Sequence, residues 1–182
     1  LLRTVERALD AGRRHRQAAR LLGSPLPVPL GKSRLMQQLR AEAQQIAASP
    51  SPVLLVGEPG SGREAFARYL HERGPRAAAP FVSLIASSLR DADAEARLFG
   101  RDGGQSMAGA LEEAANGTLF IHELEDLPAG AQRLLVGVFE SGQFTRLGGS
   151  EPFSLRARLV ASAQPGIEQR AGTDGLRRDL LA

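Results

Sequence analysis

The feature that most constrains this chain is a short apolar run, Val53-Leu54-Leu55-Val56, followed by Gly57-Glu58-Pro59-Gly60-Ser61-Gly62-Arg63-Glu64 and a helical stretch, Ala65 to Leu70. A continuous apolar run of this length suits a strand buried on both sides. The glycines behind it let backbone N–H groups converge on a phosphate, and the N-terminus of the following helix adds positive potential. The pattern is G-x-x-x-x-G-K-[ST], with Arg63 for the lysine and Glu64 for the hydroxyl residue. An ordinary strand-to-helix turn can carry glycines by chance, but the position between a buried strand and a helix favours the phosphate-binding reading. Gly57, Glu58, Gly60, Ser61, Gly62, Arg63 and Glu64 are the expected phosphate-contacting set. Arg63 keeps a cation there, but a planar guanidinium is bulkier than an ammonium, so binding should survive better than catalysis.

Around this loop, elements alternate in the manner of a parallel sheet wrapped by helices, an α/β fold. Leu35, Leu39, Ala43 and Ile46 share a helix face, and a helix is expected over about residues 63 to 73. Strands are expected at Phe81 to Leu84, Thr118 to Ile121 and Arg158 to Ser162. One helix should end near Leu98, residues 130 to 140 read as another, and Gln143 to Phe153 suggests a hairpin around Gly148-Gly149. Upstream, Leu2, Val5 and Leu9 give a helical pattern over about residues 1 to 22. Gly23, Ser24, Pro25, Pro27 and Pro29 then form a stiff hinge, because proline forbids helix continuation. Residues 1–22, 23–29 and 30–182 are thus read as basic linker helix, hinge and core.

Charge and composition narrow the function classes. Residues 1 to 20 hold six arginines against Glu6 and Asp10, a balance of 6 − 2 = +4 within a chain of net charge +3. No aromatic side chains interleave these arginines to stack on bases, so a solvated linker or dimerisation helix is preferred to a DNA-binding arm. The absence of cysteine excludes disulfides, thiolate zinc sites and cysteine nucleophiles. No apolar stretch approaches the roughly 18 residues that cross a bilayer, and Arg3, Glu6 and Arg7 stand where a signal peptide would need its apolar run. The expectation is a cytoplasmic protein with no membrane partner. Both ends read as cuts through helical patterns, so a fragment of a longer protein is expected.

The strand Thr118-Leu119-Phe120-Ile121 runs into His122-Glu123, as a Walker B segment does, with His122 where an aspartate is expected. That aspartate serves magnesium, a hard cation preferring oxygen ligands, and imidazole substitutes poorly. With no second His or Cys nearby in sequence, His122 reads as a hydrogen-bonded strand-end histidine rather than a transition-metal ligand. No metal ligand is assigned. Glu123 remains available to polarise a water.

These residues resemble the central AAA+ domain of bacterial enhancer-binding proteins, the ATPases that activate sigma-54 RNA polymerase. The likeness extends from Leu30 to Ala182 and rests also on Leu30-Gly31-Lys32-Ser33 with Met36, Pro80-Phe81-Val82 and Leu98-Phe99-Gly100. Gly117-Thr118-Leu119-Phe120, Leu127-Pro128 and Phe144-x-Arg146-Leu147-Gly148-Gly149 follow in the family's order. The resemblance implies a three-layer α-β-α P-loop core, with Leu30 and Gly31 near the adenine of bound ATP or ADP. It also implies self-association as dimer or ring, a linker of the response-regulator type, and DNA contact through a domain outside this chain. The family's C-terminal lid is not expected within these residues.

Departures from the family pattern are as informative. Where the family carries Gly-Ala-Phe-Thr-Gly-Ala in the loop that touches the sigma factor, this chain has Arg101 to Gly109, shorter by roughly six residues. RNA polymerase contact by the usual route is therefore not expected. Ile85 replaces an asparagine that restrains the Walker B glutamate, and Ala163-Gln164 replaces a Thr-Asn pair at the sensor position. Gln164 is the nucleotide-side candidate there. Arg177 matches the first arginine-finger position, acting on a neighbouring subunit's nucleotide. The preferred reading is a degenerate regulatory domain that binds nucleotide with little hydrolysis and without the usual magnesium. The alternatives are a slow but genuine ATPase, and a sensor of another phosphorylated ligand such as a cyclic dinucleotide.

Overall fold

The computed structural model describes Pro29 and residues 31–104, 106–172 and 176–181. The linker 1–22, the hinge apart from Pro29, and Leu30 lie outside the described residues. Helix α1, Arg34–Ala47, starts where the Ser33 side chain accepts the Met36 N–H at 3.3 Å. Its end is followed by Pro50 and Pro52, which cannot continue a helix. The chain entering it is pinned by Arg40, whose Nη1 donates to the carbonyls of Pro29 and Gly31 at 2.9 and 2.8 Å.

The succession is then β1 (Val53–Val56), α2 (Arg63–Arg73), β2 (Phe81–Ile85), α3 (Asp91–Phe99), α4 (Ala110–Glu113) and β3 (Thr118–His122). After these come α5 (Ala129–Ser141), β4 (Gln143–Thr145), β5 (Pro152–Ser154), β6 (Arg158–Ala163) and α6 (Ile167–Arg170), with a 3₁₀ turn at Arg178–Leu180. Four strands form one parallel sheet in the order β1-β6-β3-β2. The hairpin expected around Gly148-Gly149 is present as the antiparallel pair β4–β5.

Strand alternation divides the core between the two sheet faces. Leu119 and Ile121 of β3 and Leu159 of β6 pack with Leu98, Phe99 and Leu135 of α3 and α5. Phe120 and Val160 point the other way, against Ala43, Ala47, Ala67 and Leu70 of α1 and α2. This is the α-β-α layering that the alternating pattern implies. The alanines permit close approach: a Cβ on Gly74, after α2, would stand 2.7 Å from the Ala47 carbonyl oxygen of α1.

One sequence expectation needs correction. Strand β1 is only partly buried, and Val56 is 54% exposed, because among the described strands β1 is an outer one, paired to β6 alone. On α1, of the residues sharing the expected helix face, Ala43 is buried, as is Ala47, while Leu35, Leu39 and Ile46 are exposed. At ~100° per residue, Leu35 and Ala47 stand about 120° apart around the helix, so seating the alanines leaves the larger side chains at the margin.

Candidate functional site

The phosphate loop leaves the C-terminal end of β1 and is anchored to the neighbouring strand by Gly57 N–H, which donates to the Ala163 carbonyl at 3.1 Å. Inside it, Ser61 N–H donates to the Glu58 carbonyl at 3.0 Å. Gly60 and Gly62 have φ of 78° and 89°, a left-handed conformation that favours glycine, although a Cβ at either would meet nothing within 4 Å. Backbone conformation, not space, fixes these two residues. Gly62 caps α2, and Phe66 N–H reaches back to its carbonyl at 3.0 Å, so the first turn of the helix faces the loop.

Strand pairing brings the second half of the site to the same place. Residues Ile85 and His122 are register partners at the ends of β2 and β3. From there the His122 ring reaches Ser83: His122 Nε2 lies 2.9 Å from Ser83 Oγ and 3.9 Å from Glu64 Oε2. Glu64 also accepts from Arg68 Nη2 and Nε at 2.7 and 2.9 Å, an i,i+4 pair along α2. Its carboxylate in the first turn suits the helix dipole but opposes an anion placed there.

Burial holds the His122 pKa below the ordinary value of 6.5, against the raising influence of Glu64 and Glu123; Arg63 and Arg68 lower it further. The ring is therefore neutral at physiological pH. A depressed histidine stabilises the fold fully above pH 6.5, and this contribution is lost as pH falls through the lowered folded value. An NMR titration of the ring should give a midpoint below 6.5; a midpoint above it would mean that Glu64 and Glu123 dominate.

Glu123 follows with φ 54° and ψ 67°, left-handed for a non-glycine residue and a strain on the order of 1 kcal/mol. Its N–H donates to Ser162 Oγ at 3.2 Å, and its Oε1 lies 3.8 Å from Arg63 Nη2. At the end of β6, Gln164 N–H donates to Glu125 Oε1 at 2.8 Å, and Glu125 also pairs with Arg170 at 3.5 Å.

The fold thus gathers Gly57 to Glu64, His122 and Glu123 at one end of the sheet, with Gln164 joined through Glu125. Glu58 lies exposed on the loop. Gly31 sits before α1 with its φ of 135° set against Met36, and Leu30 lies outside the described residues. Arg177 is turned to its own chain: its guanidinium binds Asp179 twice, and its N–H donates to Gln132 Oε1 at 2.9 Å. Ser83, Glu125 and Ser162 were not among the sequence candidates. Period-two alternation would have set Ser83 on the same face as Ile85, but linking Glu125 and Ser162 to the site required the β3–β6 pairing.

The residues fit a nucleotide's phosphates better than they fit magnesium. For phosphate there are loop N–H groups, a helix N-terminus and Arg63, whose Nη1 is buried with no hydrogen-bond partner among the described residues. Magnesium, a hard cation, would meet a nitrogen at position 122 and a Glu64 carboxylate already engaged by Arg68.

Comparison with known proteins shows the family and the fold. Residues 30–182 match the sigma-54 interaction domain. The nitrogen assimilation regulatory protein NtrX of Azorhizobium caulinodans is 35% identical over 180 residues, covering 97% of this chain and 40% of that protein. The DNA-binding transcriptional regulator NtrC of Escherichia coli K12 is 33% identical, covering 97% of this chain and 39% of that protein. The chain therefore spans well under half the length of these relatives. Among solved structures, NtrX from Brucella abortus in complex with ADP superposes with a TM-score of 0.81 at 31% identity, covering 98% of this chain and 41% of that one. Its ATP complex gives 0.80 at 30% identity, with the same coverage. With a P-loop at the end of β1, a parallel sheet between helical layers and this match across the core, the chain belongs to the sigma-54 interaction domain family, the AAA+ domain of sigma-54-dependent regulators.

Proposed function

We propose that this chain is the AAA+ domain of a bacterial response-regulator-type transcriptional regulator that binds ADP or ATP without magnesium and hydrolyses ATP little or not at all. The observation that carries this reading is the contact of His122 Nε2 with Ser83 Oγ at 2.9 Å and its approach to Glu64 at 3.9 Å. The two positions from which this family serves the cation now hold a neutral imidazole and a carboxylate facing each other. Phosphoryl transfer depends on positioning and charge neutralisation, so an imidazole at one of these positions and an Arg68-paired carboxylate at the other weaken its support. Binding draws on other groups: the loop N–H groups, the α2 N-terminus and Arg63. Leu30 and Gly31 are assigned to the base side, Glu58 to Glu64 with His122 and Gln164 to the phosphate side. Glu123 and Arg177 are the residues through which any residual hydrolysis would run. That the NtrX of Brucella abortus holds both nucleotides supports the ligand class.

Remodelling of sigma-54 polymerase is not part of the proposal. The shortened loop folds back onto the β4–β5 hairpin, through bridges from Arg101 to Met107 and to Leu147. Arg146 ties it down, donating to Asp102 Oδ1 at 3.0 Å, Ser106 Oγ at 2.6 Å and both Glu112 oxygens at 2.8 and 2.7 Å. In the parent protein, residues 1–22 and 23–29 serve as linker helix and hinge, residues 30–182 self-associate, and DNA is contacted by a segment outside this chain in the cytoplasm. Calorimetric titration with ATP, ADP and a cyclic dinucleotide, each with magnesium and with EDTA, tests the ligand. ATP and ADP should bind equally well in both buffers, within about twofold; affinity that requires magnesium overturns the reading.

A further inference from the structure

Arg63 and Glu123 meet across the site from different elements, the start of α2 and the end of β3. The arginine is divided between two environments: Nη2 lies 3.8 Å from Glu123 Oε1, while Nη1 is buried without a hydrogen-bond partner. Their side chains are 13% and 28% exposed, so water screens this pair less than a surface pair. Glu123 is held in position by its backbone, with its N–H on Ser162 Oγ and its φ in the left-handed region. Ile85, the register partner of the preceding His122, is apolar and half exposed and has no group to offer the carboxylate a hydrogen bond. The described residues give Glu123 no other ion pair.

Arg63 occupies the motif position whose cation reaches the terminal phosphates of a nucleotide. A phosphate arriving in the loop and the Glu123 carboxylate therefore call on the same guanidinium. We propose that Glu123 is a specificity-determining residue of the phosphate site: an internal anion that competes for Arg63 and admits only ligands able to displace it. A metal-free nucleoside diphosphate or triphosphate, with several charges spread along the loop, can do so. A monophosphate or inorganic phosphate cannot. Ligand entry and release of Glu123 from Arg63 are then one event. This rests on the nucleotide-binding reading given above.

The test is a titration of ADP and AMP, in EDTA, into the natural chain, Glu123→Gln, Arg63→Ala and the double variant. Glutamine keeps the shape of the side chain and removes its charge. Glu123→Gln should tighten ADP about tenfold and bring AMP into the measurable range, whereas the same change in the Arg63→Ala background should gain no more than about threefold. An equal or larger gain without Arg63 would show simple repulsion of phosphate by the carboxylate, and would overturn the proposal. In the ligand-free protein, the ¹⁵N–¹H signal of the Arg63 guanidinium should move on Glu123→Gln; a signal that stays in place refutes the pairing whether or not ADP binds. If Glu123→Gln binds ADP and the natural chain does not, the competition stands and the nucleotide reading of the natural chain falls.

Discussion

Purified protein supplied with magnesium and ATP is expected to release phosphate no faster than the uncatalysed background, and Glu123→Ala should leave that rate unchanged. Removal of one preorganised charge-stabilising group in an active site typically costs about 10²–10³ in rate. On the proposed reading, several groups of the family pattern are replaced at once. His122 stands where the pattern has a cation-holding carboxylate, Glu64 stands where it has a hydroxyl, and the end of β6 presents Ala163 and Gln164, whose N–H is already given to Glu125. Arg177 is engaged by Asp179 of its own chain and would have to leave that pair to reach a neighbouring subunit. Because these groups serve different parts of one reaction, restoring any single one should not restore turnover. A coupled phosphate-release assay decides the matter: turnover that Glu123→Ala abolishes would establish a working ATPase and end the proposal of a binding-only domain.

Substituting Gly117 by alanine should cost about 3 kcal/mol of stability, read as a lower urea midpoint with unchanged slope and a melting temperature lower by about 10 °C. Gly117 precedes β3 and is buried. An added Cβ would stand 1.9 Å from the Pro80 carbonyl oxygen and 2.9 and 3.0 Å from the Pro80 carbonyl carbon and nitrogen, all backbone atoms that cannot swing aside. The same Pro80 oxygen accepts the Thr118 N–H at 2.9 Å, and the Gly117 carbonyl accepts the Arg158 N–H at 2.9 Å. Pushing the two segments apart therefore loosens the first rungs of both the β2–β3 and β3–β6 pairings. The contrasting change is Gly137→Ala, at an exposed position in the middle of α5 where a Cβ meets nothing within 4 Å. It should raise stability by about 0.5–1 kcal/mol, since alanine loses less backbone freedom in a helix than glycine. A Gly117→Ala variant as stable as the natural chain would refute the close-packing argument.

Local patterns were enough to locate much of the architecture. The helix from Arg63 to Arg73, the parallel strands and the hairpin around Gly148-Gly149 all follow from periodicity and turn residues, which act over a few positions. The short helices α4 and α6, four residues each, carried too little periodicity to be seen. Burial was less legible: Val56 and Leu35 are as apolar as any core residue, yet strand order and helix rotation leave them exposed. Hydropathy states what a side chain prefers, and only its neighbours determine whether that preference is met.

The candidate site divides along the same line. Sequence alone determined the phosphate loop and the substitutions within it, because glycine spacing and residue type are local properties that the chain carries wherever it folds. Tertiary structure decided which groups meet at the site: Ser83 and Glu64 for His122, Arg63 for Glu123, Glu125 for Gln164. Each of those contacts crosses between elements remote in the chain, and depends on the register of β2, β3 and β6, which places strand ends within a few ångströms of the loop.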